Sequence, residues 1–365
     1  MPKTNDITAI SLFSGAGGDT LGMKNAGINV IGYIEWDRNA IETHKQNFPE
    51  CKLIGKDITK IEDEEFKKYE GVDIIFGGFP CQSFSHGGKK KATDKRGFLY
   101  QEFVRATKII RPKFIIGENV QGLLSRKMED GVLFIDKIIE DFTGTGYKLK
   151  YNLFNMADFG VPQSRKRVLI YGIRDDLDIK CNLENMYKVE NKRTNKDLLR
   201  SNNERSESLD DVIEFSLQDA LKIDKKEIID EIKKGKCIED NKNKDKEYGK
   251  PPTNLRKCYD KGEISFRTRA SPTHSCIVDL EDVSRTILCS YGRMPRLFVS
   301  IRNYNGYYLR PYTVTELQMI QGFPKDFKFN GNYIQQVNQI GNAVPPIFIT
   351  HIINYIKGIL NIFLF

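Results

Sequence analysis

Six apolar, strand-like runs recur along the first half of the chain with helix-like stretches between them. This alternation limits the fold more than any other feature of the sequence. The runs are Ile7–Phe13, Val30–Ile34, Val72–Phe76, Phe114–Ile116, Lys148–Asn155 and Arg167–Ile173. Strands joined by helix-length crossovers predict an α/β architecture, a mostly parallel sheet with helices on both faces. Such a sheet presents its chemistry where strand ends open into loops.

Three of those strand ends hold chemically distinctive residues. The first run opens into Phe13-Ser14-Gly15-Ala16-Gly17-Gly18, and a helix-like segment follows from Thr20 to Ala26. Strand, glycine loop and helix form the context that a nucleotide-type cofactor needs, because glycine lets the backbone approach a ligand. The second run ends in Glu35-Trp36. An acid there can accept both ribose hydroxyl protons, and a flat indole can cover an adenine face; the alternatives are a solvated strand end and a packed core residue. Asp57 follows Leu53-Ile54 and can take a hydrogen bond from an exocyclic amine. The loop is neither G-x-G-x-x-G nor a lysine-bearing phosphate loop, which points to an adenosine cofactor without a pyrophosphate. The third run ends in Gly78-Phe79-Pro80-Cys81-Gln82-Ser83. A thiol at a strand end is a nucleophile when its pKa is lowered and solvent reaches it; otherwise it is a small buried residue.

Glu118-Asn119-Val120, Gln163-Ser164-Arg165-Lys166-Arg167, Arg310 to Pro324 and Gln339 to Pro345 follow in order. With the loop, Glu35-Trp36 and Pro80-Cys81-Gln82, these segments resemble the cytosine-5 DNA methyltransferase family of bacterial restriction–modification type, over nearly the whole chain. The resemblance implies a Rossmann-like S-adenosylmethionine-dependent methyltransferase fold with a second, smaller target-recognition domain. It implies that Cys81 adds to carbon 6 of cytosine and that Glu118 protonates ring nitrogen 3. Arg165 and Arg167 match positions that grip the flipped base and its acid, or the DNA backbone. For S-adenosylmethionine it implies Phe13, Ala16 and Gly18 at the methionine part, and Glu35 at the ribose. Trp36, Asp57 and Ile58 then stand at the adenine, with Pro80, Leu99, Asn342 and Val344 closing the pocket. Two departures stand out. Ser11 occupies a position where the family often has an acid, and Gly87 lies where a serine often enters the DNA.

The expected division is residues 1–178, completed by 331–365, for catalysis and cofactor, and 179–330 for target recognition. Residues 181–250 are rich in Lys, Asn, Asp and Glu, with helical patches such as Val212–Leu221, a composition compatible with partial flexibility. The tail from Gly358, joined to Ile347–Ile356, predicts a C-terminal helix packing on the sheet. A net charge of +8 suits duplex DNA, and Lys89, Lys90, Lys91, Lys95, Arg96, Arg105, Lys108, Arg111 and Lys113 cluster around the thiol. The alternative for such a cluster is a solvated helix face. Seven cysteines without a C-x-x-C pair, and four histidines, carry no zinc signature. No run reaches the roughly 20 apolar residues of a membrane span. A monomer in the bacterial cytoplasm, associated with the nucleoid, is the expectation. Carbon 6 of a stacked cytosine is closed to a thiol, so the chemistry requires base flipping. The competing readings are a cytosine-5 methyltransferase acting on tRNA, a non-catalytic DNA-binding module and, more distantly, a nicotinamide oxidoreductase.

Overall fold

A computed structural model describes residues 7–80, 99–177, 179–195, 220–234, 238–239, 256, 259–260, 276–279, 282–293 and 295–363. In chain order the first half builds β1 (Thr8–Leu12), α1 (Gly18–Asn25), β2 (Asn29–Ile34), α2 (Arg38–Asn47), β3 (Lys52–Gly55), α3 (Asp63–Lys67), β4 (Ile74–Gly77), α4 (Leu99–Ile110), β5 (Phe114–Val120), α5 (Phe134–Thr143), β6 (Tyr147–Asn155), β7 (Gln163–Ser164) and β8 (Lys166–Arg174). Seven strands form one sheet in the order β3-β2-β1-β4-β5-β8-β6. The first five pair in parallel, whereas β8 runs antiparallel to both β5 and β6. The six expected strands are present, and β3 adds a short edge strand that the pair Leu53-Ile54 did not announce.

The central strands β1, β4 and β5 are apolar at successive positions because both their faces are covered. Ala9, Ile74, Phe76, Phe114 and Ile116 face one layer, where Met23 and the C-terminal helix residues Ile349, Ile352 and Ile353 pack. Their neighbours Ile10, Ile75 and Ile115 face the other, with Phe66, Tyr100, Phe103, Ile138 and Phe142. The two-residue period of a strand divides the large sheet's apolar residues between these two cores. β1 lies between β2 and β4, so the strand order reverses there. The crevice beyond the carboxyl ends of β1 and β4 is the place where open α/β sheets bind ligands.

The second half contributes β9 (Leu221–Ile223), α6 (Lys226–Lys234), β10 (Ile238–Glu239), β11 (Cys276–Ile277), β12 (Ser284–Arg285), β13 (Leu297–Asn303), β14 (Gly306–Pro311), α7 (Val314–Ile320), α8 (Tyr333–Asn342) and α9 (Pro346–Phe363). A smaller sheet runs β10-β13-β14-β9, with β11 beside β13. The chain then returns to the large sheet, and Phe323, Phe327 and Phe348 join its first core. The patch 212–219 lies outside the described residues, and Leu221 begins a strand rather than ending a helix.

A buried ion pair joins β14 of the smaller sheet to the start of α7. Arg310 donates both terminal nitrogens to Glu316 at 2.8 Å, and Glu316 also accepts the Thr313 N–H at 2.8 Å in a capping box that starts α7. Removing one partner of a buried pair strands the other charge, typically costing about 3–5 kcal/mol. Arg310→Met should therefore lower the thermal midpoint more than the double variant Arg310→Met/Glu316→Gln, whose amide still accepts from Thr313. Equal midpoints in calorimetry would contradict this.

Candidate functional site at the strand ends

The loop after β1 is held in an uncommon backbone shape. Phe13 has φ 58°, a left-handed conformation that costs a non-glycine residue on the order of 1–3 kcal/mol and recurs at functional sites. Glu35, 6% exposed, fixes the loop from the end of β2. Its carboxylate accepts three backbone N–H groups, from Gly15 at 2.7 Å, Trp36 at 2.9 Å and Asp37 at 2.8 Å. Burial raises the Glu35 pKa above the ordinary carboxylate value, and these N–H groups act against that rise. A carboxylate has about four acceptor positions, so one remains for a ligand hydroxyl.

The cradle fits an adenosine-type ligand. A side chain on Gly15 would meet nothing within 4 Å, whereas one on Gly18 would lie 2.2 Å from the Val344 carbonyl oxygen. The loop is thus open on one side and pressed against Val344 on the other. Ala16 is buried. Trp36 is 77% exposed beside the loop, so it is not a core residue. Asp57 receives Thr59 N at 3.1 Å and Thr59 Oγ1 at 2.7 Å. The bond from the Thr59 hydroxyl leads in lowering its pKa. Ile58 is buried, and Asn342 is exposed with its amide on Asn338 at 2.7 Å. Leu99 opens α4 at the same end of the sheet, and Pro80 is the last described residue before the thiol.

Cys81 lies outside the described residues, as do Gly87, Lys89, Lys90, Lys91, Lys95 and Arg96. The segment leading to the thiol is well placed. Asn119 donates its amide to Phe79 O at 3.1 Å, locking the end of β5 to this segment. The position a side chain would take on Gly78 is 3.8 Å from Val344 Cγ2 and 3.9 Å from both Glu118 Oε2 and Phe13 O. Cofactor loop, acid and closing segment therefore converge on one point. Arg167 Nε stands 2.9 Å from Glu118 Oε1, an ion-pair distance, although its N–H is not aimed at that oxygen.

Arg165 is enclosed rather than presented to the crevice. It is 2% exposed, and its guanidinium donates to the carbonyls of Ile287, Gly341 and Ala343. Burial lowers its pKa to about 9. The basic cluster around the thiol also loses members, because α4 runs back along the sheet. Its C-terminal residues lie at the opposite end, where Gly71 N–H bonds Ile110 O and Lys113 pairs with Asp73 at 2.7 Å. Lys108 and Arg111 share that end. Arg105 is committed to Asp63, Glu102 and the carbonyls of Ile58 and Ile61. A surface hollow of about 480 Å³, lined by Asp136, Lys150, Asn182 and Glu184, lies beside the edge strand β6 and shares no residue with this site.

A C-5 cytosine-specific DNA methylase family model matches residues 7–358. The Type II methyltransferase M.NgoPII of Neisseria gonorrhoeae is 33% identical over 352 residues, covering 93% of this chain and 92% of that protein. The Type II methyltransferase M1.HphI of Haemophilus parahaemolyticus is 31% identical over 349 residues, covering 93% and 84%. Among solved structures, the S. pombe Dnmt2 methyltransferase superposes with a TM-score of 0.63 at 14% identity, covering 98% of this chain and 100% of that one.

Beneath the glycine loop runs a buried polar chain that sequence reasoning missed. Asp19 accepts from Ser11, and from Ser14 at 3.3 Å; Ser14 approaches Thr20 at 3.4 Å, and Thr20 meets His44 Nε2 at 3.1 Å. His44 stacks on Tyr33 at 3.6 Å. Burial pushes the His44 pKa from 6.5 down to about 3 and the Asp19 pKa from 3.8 up to about 6. The unfolded chain protonates histidine first, so the His44 contribution is full above pH 6.5 and drains away as pH falls toward 3. Asp19 acts in the opposite sense: the folded chain takes its proton first, so acid restores stability between about 6 and 3.8. Asp19→Asn should therefore make the thermal midpoint fall more steeply than in the wild type between about pH 6 and pH 4. Parallel curves for the two proteins would contradict the assignment.

Proposed function

The chain belongs to the C-5 cytosine-specific DNA methylase family, and on that premise we propose how its residues divide the work of methylating carbon 5 of a DNA cytosine. Convergence of Phe13, Glu118 and Val344 on the segment that leads to Cys81 carries this reading. When bound, S-adenosylmethionine supplies an electrophilic methyl group. Glu35 takes a ribose hydroxyl with its remaining acceptor position, Trp36 covers the adenine, and Asp57 with Ile58 meets the adenine edge. Phe13, Ala16 and Gly18 shape the wall at the methionine part, and Pro80, Leu99, Asn342 and Val344 close the pocket.

Cys81, as thiolate, forms a bond to carbon 6. The carbon 5–carbon 6 π pair becomes available at carbon 5 as Glu118 gives a proton to ring nitrogen 3. Glu118 does so through Oε2, the oxygen nearer the thiol segment, while the Arg167 charge stands beside Oε1. Carbon 5 takes the methyl group, releasing S-adenosylhomocysteine; the carbon 5 proton then passes to water as the carbon 6–sulfur bond breaks, nitrogen 3 returns its proton to Glu118, and ring and thiolate are restored. A stacked base cannot accept this attack, so the target cytosine leaves the duplex. Residues 179–330 form the proposed target-recognition unit, and 1–178 with 331–365 the catalytic one. Duplex DNA is the proposed substrate form. A cytoplasmic, nucleoid-associated monomer is part of the same proposal, and the relatives, Type II methyltransferases of bacteria, favour DNA over tRNA.

Duplex DNA substituted with 5-fluorocytosine should give a denaturation-resistant adduct with the wild type that requires S-adenosylmethionine and maps to Cys81. An adduct on another cysteine would overturn the nucleophile assignment. Glu118→Gln should retain DNA binding and slow transfer about a hundredfold to ten-thousandfold, the usual worth of a general acid. A charged hydrogen bond is worth about 1.5–3 kcal/mol, so Glu35→Ala should weaken S-adenosylmethionine binding roughly tenfold to hundredfold. Unchanged affinity in calorimetry would remove Glu35 from the pocket.

A further inference from the structure

The strand-end site is joined to the target-recognition side of the molecule by two buried amides that the reaction itself does not use. Gln163 and Gln321 are both 0% exposed. Gln163 Oε1 accepts the Ile287 N–H at 3.0 Å, and its Nε2 donates to Gln321 Oε1 at 2.7 Å. Gln321 Nε2 in turn donates to the Ala343 carbonyl. The chain of amides starts from a backbone donor and ends on a backbone acceptor, so its direction is set and neither amide can flip without leaving a buried group unpaired.

Each end has a clear attachment. At one end, β12 pairs with β7, Ser284 opposite Gln163 and Arg285 opposite Ser164, and Thr286 Oγ1 donates to Ser164 O at 2.7 Å. Residues 284–287 lead on through a turn over Cys289–Gly292 toward β13 of the smaller sheet. At the other end, Ala343 precedes Val344, whose carbonyl is pressed against Gly18 and whose side chain faces Gly78. Arg165 runs in parallel, from Ile287 O to Gly341 O and Ala343 O. A shift of residues 284–287 on β7 therefore has a short, buried, directional route to the wall of the cofactor pocket.

We infer that Gln163 and Gln321 are positioning residues that couple the seating of DNA on the target-recognition unit to closure of the cofactor pocket by residues 342–344. The inference rests on the cofactor reading of Asn342 and Val344 given above. Coupling between two sites is reciprocal and commonly changes affinity about five- to hundredfold. A contiguous buried hydrogen-bond network is one physical carrier of such coupling.

The test is equilibrium dialysis of the full chain with radiolabelled S-adenosylhomocysteine, with and without sheared, unmethylated phage lambda DNA. The wild type should bind it at least about fivefold more tightly with DNA. Gln163→Met, which makes no contact with Ala343, should bring that ratio near one and change DNA-free affinity much less. A purely structural role would lower the thermal midpoint and leave the ratio intact. If Gln163→Met does not fold, Thr286→Val removes the rim hydroxyl that holds the same segment to β7 and should reduce the ratio in the same direction. A wild-type ratio of one, or an unchanged ratio in the variant that folds, overturns the inference. Glu35→Ala separates the two readings. It should weaken binding with and without DNA alike, and a normal affinity there would place the fault in the cofactor pocket instead.

Discussion

One backbone contact organises this protein: the Val344 carbonyl against Gly18, with space for a hydrogen and not for a methyl group. It brings the last fifth of the chain onto the first loop. The parallel sheet alone leaves the crevice beyond β1 and β4 open on the side where α1 begins. The returning segment closes it with backbone rather than side chains, which is why a glycine stands at Gly18. The hydrophobic return of α9 onto α1 and the first core holds this contact in place, since Ile349, Ile352 and Ile353 pack with Met23. The same return of the chain thus adds to the core and closes the crevice.

Glu35 and Arg165 show how a polar residue in such a place divides between structure and chemistry. Glu35 spends three acceptor positions on the glycine loop before any ligand arrives, so the loop is organised in advance. Arg165, in the gap between β7 and β8, and Arg167, on β8, are two residues apart, yet their partners differ. Arg165 is sealed among carbonyls, while Arg167 reaches the edge of the crevice beside Glu118. Charge type alone does not distinguish them; burial does.

Much of this was legible in the sequence because it is local. The loop from Phe13 to Gly18, the acid ending β2 and the apolar runs are each carried by a few consecutive residues, and all are present in the structure. What was not legible depends on partners far apart in the chain. Gln163 meets Gln321 across 158 positions, and no periodicity marks either. The antiparallel turn of β8 hides in an ordinary apolar run. The basic cluster looked continuous in one dimension because α4 carries its residues to the far end of the sheet. Ser11, a departure from the expected acid, gains meaning only when Asp19 is seen to hold it from the first turn of α1.

Trp36 is the chain's single tryptophan and stands almost free of the fold at the mouth of the crevice. An indole in water emits at longer wavelength than one stacked against a flat ring, and here no second indole contributes background. The molecule therefore carries a built-in optical gauge at one defined point. Its colour registers whether that mouth is covered or bare, without a label or an engineered site.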